Sequence, residues 1–101
     1  MKMVSCVCNV SVLATVLRLL DENGVQGYQV VNNVTGKNIK GDPRMDTAVW
    51  PGYSAQVMMQ FKHDADAHSV LQKMKDFNKQ AVNDDELLTF YSHSLDELFS
   101  E

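Results

Sequence analysis

Apolar and polar residues alternate over Lys2–Val10, with Val4, Cys6, Cys8 and Val10 on one side and Met3, Ser5, Val7 and Asn9 on the other. A period of two predicts a strand with unlike faces, and β-branched and thiol side chains suit a packed, pleated surface. The period then lengthens. Leu13, Val16, Leu17 and Leu20 recur at helical spacing within Ser11–Asn23 and make one apolar stripe. Asn9 or Ser11 is placed to cap this helix, and Gly24 to end it in a left-handed C-cap. Val25–Val34 reads as a second strand. Tyr53–Lys62 reads as a third, with Ala55, Val57, Met59 and Phe61 forming a cleanly apolar face. Ala67, Val70, Leu71, Met74 and Phe77 carry the strongest periodic signal and predict a second helix from Asp64 or Asp66 to Lys79. Asn83–Asp85 reads as a turn and Glu86–Tyr91 as a fourth strand. Ser94–Glu97 has the capping-box pattern that opens a short C-terminal helix, with Leu95, Leu98 and Phe99 on one side.

The order β-α-β-β-α-β predicts an α+β, ferredoxin-like sandwich: a four-stranded antiparallel sheet with two helices on one face and a short C-terminal helix. At 101 residues the chain reads as a single domain, residues 1–101. The sheet face away from the helices would carry Met3, Val7, Val31 and Met58 among Asn and Gln residues. Apolar and uncharged polar residues on an uncovered face predict a partner surface, here between copies of the same chain.

Between strands two and three lies Thr35–Gly52, TGKNIKGDPRMDTAVWPG. It holds three of the five glycines, both prolines, the only Trp and one of the two arginines. A connection this long inside a compact domain is usually functional or disordered, and Trp50 argues for order because so large a ring seeks cover.

Charge narrows the function classes. The net charge is −4, the pI about 5.2, and no basic cluster exists, so nucleic-acid binding lacks its electrostatic footprint. No apolar run is long enough to span a bilayer. Cys6 and Cys8 would lie about 7 Å apart along one strand face, too far to bridge. The sequence thus reads as that of a reduced, cytoplasmic protein.

Candidate chemistry concentrates in the loop. Gly36, Lys37 and Gly41 can cradle an anion, because glycine permits close backbone approach and Lys37 and Lys40 add charge; the alternative is a solvated loop tip. Arg44 suits a bidentate contact to carboxylate or phosphate, or else pairs internally with Asp42 or Asp46. Trp50 either stacks on a ligand ring or fastens the loop to the sheet or to a neighbouring subunit. Asp64 and His68 share a helix face, and with His63, His93 or a cysteine they offer a metal test centred on His63 and His68; the plainer reading is a cap and two solvated imidazoles. Asp84, Asp85 and Glu86 read as a solvated charged turn. No spacing picks out a catalytic constellation, so the protein is read as non-enzymatic, with no particular cofactor indicated.

Nearly the whole chain resembles the P-II signal-transduction superfamily, in its divergent, short-loop P-II-like branch. The features that carry the resemblance are the element order, ENGVQGYQV leading into strand two, VTGKN, and GDPRMDTAVWPG leading into strand three. The last resembles the TGxG…GxPxxxTxxWPG passage of compact P-II-like proteins. The resemblance implies a homotrimer built around three sheets, with a small-molecule ligand, a nucleotide or another anion, in clefts between subunits. It also implies a loop that signals ligand state to an enzyme or membrane-protein partner. CutA-type trimers share the fold, and a metal-binding or metal-responsive trimer is the alternative.

Overall fold

The computed structural model describes residues 1–100. Four strands, β1 (Lys2–Asn9), β2 (Tyr28–Val34), β3 (Ser54–Phe61) and β4 (Thr89–Ser94), form one sheet in the order β2-β3-β1-β4. Every neighbouring pair is antiparallel. Helices α1 (Leu13–Glu22) and α2 (Asp64–Lys79) complete the βαββαβ sandwich. No described helix is long and apolar enough to cross a membrane.

The core follows from the alternation. Val4, Cys6 and Cys8 of β1 sit opposite Met59, Val57 and Ala55 of β3, and all six are fully buried. Val16 and Leu20 of α1, and Ala67, Val70 and Met74 of α2, bury the helical stripes against them. Fully burying a Val, Leu or Met contributes about 1.5–3 kcal/mol, so this single layer supplies most of the driving force. The other sheet face carries Met3, Ser5 and Val7 of β1 beside Gln60, Met58 and Gln56 of β3 and His93, Tyr91 and Thr89 of β4. Gln29 and Val31 extend it across β2. Tyr91 is 49% exposed and Val31 44% exposed, and none of these residues is an acid, Lys or Arg.

Four boundaries depart from the sequence reading. The chain enters α1 through a 3-10 turn, Val10–Val12, capped by Asn9, whose Oδ1 accepts the Ser11 N–H. The second strand begins at Tyr28, not Val25: the Val25 N–H still belongs to the end of α1, donating to the Leu20 carbonyl, and Gly27 follows. The fourth strand is Thr89–Ser94 rather than Glu86–Tyr91. Asp84–Glu86 is instead a 3-10 turn, because the Asn83 side chain accepts the Glu86 N–H and Glu86 Oε2 accepts the Val82 N–H. The short C-terminal helix does not form; residues 95–100 are irregular. An isolated turn of helix is marginal without tertiary packing, and Phe99, which would anchor it, is 78% exposed.

The fourth strand is set in place by Asn78, near the end of α2. Its Nδ2 donates to the Leu88 carbonyl at 2.9 Å and its Oδ1 accepts the Leu88 N–H at 2.8 Å. One side chain thereby stands in for a strand neighbour at a buried residue. Asn78→Ala should lower stability by about 1–3 kcal/mol, the cost of leaving buried backbone groups unpaired. Urea denaturation measures this, and an unchanged midpoint would show that Leu88 finds other partners.

Candidate functional site

The loop is ordered by its own backbone into two joined turns. Gly36 and Arg44 exchange both backbone hydrogen bonds at 2.9 Å and close the first turn as a miniature ladder. The second is tied by Met45 N–H and Thr47 N–H to the Trp50 carbonyl, and by Asp46 N–H to the Gly52 carbonyl. The Trp50 N–H donates to Thr47 Oγ1 at 3.0 Å. Asp46 takes a positive φ of 53° to make the bend, and Gly52 one of 84°. Asp and Asn tolerate this region better than other side chains.

Arg44 links the two turns and points inward. It is only 7% exposed, and its Nε donates to Ser54 Oγ at 2.7 Å. Neither Asp42 nor Asp46 pairs with it: among the described residues no carboxylate oxygen lies within 4 Å of the guanidinium. Cys8 lies close enough for the guanidinium to act on it. The Cys8 thiol is pulled below its ordinary pKa by the Cys6 thiol beside it, by Arg44 and by the Ala55 N–H, against the opposing effect of burial. Cys6 is pushed up, chiefly by Cys8 and by its own burial. Both cysteines are free and buried, as core thiols should be.

The first turn is latched to a distant segment. The Asp42 N–H donates to Asp85 Oδ1 at 3.2 Å. At Gly41, where φ is +87°, a Cβ would meet Asp85 Oδ1 at 2.9 Å and the Asp84 carbonyl at 3.3 Å. The acidic turn after α2 is therefore a contact for the loop rather than a purely solvated one, which its composition did not disclose.

These elements enclose a pocket of about 260 Å³ lined by Asn9, Asp42, Pro43, Arg44, Val49, Trp50, Pro51, Gly52 and Asp85. Asn9 and Ser54 pair across β1 and β3 where the helix-free sheet face ends, so the pocket adjoins that face. Of the residues singled out in the sequence, Arg44 and Trp50 line the pocket. Trp50 stays 43% exposed. Gly36 is occupied in pairing Arg44, Gly41 in approaching the acidic turn, and Lys37 is exposed beside Gly36 at the base of the first turn.

His63 and His68 lie at the other end of the sheet. There His63, Gln29, Gln60 and the segment Leu98–Ser100 border a wider recess of about 760 Å³. The Met1 amino group, 3.1 Å from Asp64 Oδ1, holds the Asp64 carboxyl below the ordinary carboxylate range. Among the described residues no three His, Cys, Asp or Glu side chains gather as a metal site.

No protein-family model and no curated protein matches the chain. Solved structures do. CPII from Thiomonas intermedia K12, bound to ADP and bicarbonate, superposes with a TM-score of 0.70 at 17% identity over 91% of this chain and 82% of that one. Its apo form, described as a nitrogen regulatory PII-like protein, gives 0.65 at 16% over 91% and 85%. A PII-like signaling protein from Thermus thermophilus gives 0.61 at 14% over 91% and 83%. The chain therefore has the fold of P-II-like proteins, as the resemblance implied.

Two outcomes follow from the geometry. A buried charge without a counter-ion carries a desolvation cost, and replacing it by an apolar side chain of similar length relieves that cost against the loss of the hydrogen bond to Ser54. Arg44→Met should thus change unfolding free energy by no more than about 1 kcal/mol; a much larger loss in a denaturation series would make Arg44 a structural staple. Gly41→Ala should break the latch, raising amide exchange at Asp42 well above wild type while exchange in the β1 core stays unchanged.

Proposed function

We propose that this chain is a P-II-like regulatory protein, binding rather than transforming a small molecule. The observation that carries the reading is Arg44: a nearly buried guanidinium without a carboxylate partner among the described residues, lining a pocket at the base of the one long loop. A desolvated cation of this kind meets an anionic group more strongly than a solvated one does. The same residue holds the loop through its backbone pair with Gly36. A ligand that engages the guanidinium therefore acts on the loop directly.

The working unit in this proposal is a homotrimer whose helix-free sheet faces meet. Support comes from the composition of that face, uncharged and carrying half-exposed Val31 and Tyr91, and from the pocket at its margin, which a neighbouring subunit would complete. The loop then reports occupancy to a protein partner, an enzyme or a membrane protein. Ile39 at 98% exposure and Val49 at 76% give it apolar contacts to offer. That CPII is bound to ADP and bicarbonate makes these the first ligands to try.

Native mass spectrometry of the purified protein tests the reading. The expected result is a trimer that gains up to three ligand masses, with Arg44→Ala assembling normally but losing the added mass. A monomer would undermine the sheet-face argument, and binding indifferent to Arg44→Ala would remove Arg44 from the site.

A further inference from the structure

Resting on the reading of the loop base as a ligand site, we infer that its ligand is a small zwitterion, an amino carboxylate, with the carboxylate on Arg44 and the ammonium on Asp42 and Asp85. Opposite charges share this pocket, yet the guanidinium pairs with neither acid. They are held apart by their own fastenings. Arg44 is fixed through its backbone by Gly36 and through Nε by Ser54, and Asp42 is fixed through its N–H by Asp85. Pro43 between them locks its own φ, which stiffens the backbone that carries both side chains. Asp85 commits one oxygen to the Asp42 N–H, and both carboxylates are exposed at the pocket rim. A buried cation held in place and two exposed carboxylates at the pocket rim, none of them paired with it, form a receptor for a dipole.

Charge and size select further. One arginine against two aspartates leaves the pocket with a formal charge of −1, which disfavours polyanions by like-charge repulsion. The part of it built by one subunit has a volume of about 260 Å³, just below the roughly 300–1,000 Å³ of pockets for drug-sized molecules, which favours a ligand of few heavy atoms. The half-exposed Trp50 ring offers a face to the ammonium or to an apolar side chain.

The test titrates the full-length protein with each of the twenty proteinogenic amino acids, following Trp50 fluorescence and calorimetric heat. Each binder is then compared with its 2-hydroxy acid, and ADP and bicarbonate are run alongside. The expected result is that at least one amino acid binds and that its hydroxy acid binds at least tenfold more weakly. Asp42→Asn with Asp85→Asn keeps an acceptor for the Asp42 N–H and should erase that discrimination, whereas Arg44→Gln should abolish binding of both compounds. Equal binding of amino and hydroxy acid, or binding of ADP or bicarbonate alone, overturns the zwitterion while leaving Arg44 as an anion receptor. Binding of nothing, or binding untouched by both Arg44→Gln and Arg44→Met, overturns both readings together.

Discussion

The organisation of the loop depends on where the charge of Arg44 is placed. Its backbone closes the first turn on Gly36, its neighbour Met45 opens the second, and its side chain reaches the sheet at Ser54. Burying a guanidinium removes much of its hydration, which one neutral hydrogen bond replaces only in part. The surrounding fold must therefore hold Arg44 in place. It does so with backbone hydrogen bonds, which are indifferent to the charge. The result is an ordered loop whose guanidinium holds Ser54 through Nε and lines the pocket, with no fully buried polar side-chain atom left unpaired among the described residues.

That placement also explains how events at the pocket can reach the rest of the domain. Asp85 belongs to the turn that follows α2, and the same region carries Asn78, which sets Leu88 and hence the start of β4. The path from Arg44 through Asp42 and Asp85 to Leu88 is short, a few chain neighbours joined by one hydrogen bond. The loop is thus in direct contact with the segment that joins the end of α2 to the entry of β4. Cys8 lies on the opposite flank, buried and feeling the same guanidinium.

Much of the fold was legible because the apolar period was clean. The alternation in β1 and β3 and the stripes of α1 and α2 named the buried residues almost individually, and the order of elements implied the antiparallel sheet. Boundaries were missed where a side chain, not a period, decides the backbone. Asn83 and Glu86 turn an apparent strand start into a 3-10 turn, and Ser94–Glu97 matches a cap yet has no helix to begin. At the site, Arg44 and Trp50 stood out by rarity in an unusual loop. The pairing of Arg44 with Ser54, and the latch from Asp42 to Asp85, could not be foreseen. Both join residues far apart in sequence or of common type, and no local pattern marks such contacts.

Of the four strands, β1 is synthesised first and completed last. Its partners are β3, beginning at Ser54, and β4, ending at Ser94. While the chain leaves the ribosome, Val4, Cys6 and Cys8 therefore wait without a sheet to enter. Pairing across such separations is slow because a long loop must close first, and the exposed edge invites contact with other nascent chains. The two thiols, sealed in the finished protein, are open to oxidants throughout that interval. Vulnerability to thiol oxidation is thus a property of the newborn chain rather than of the mature one.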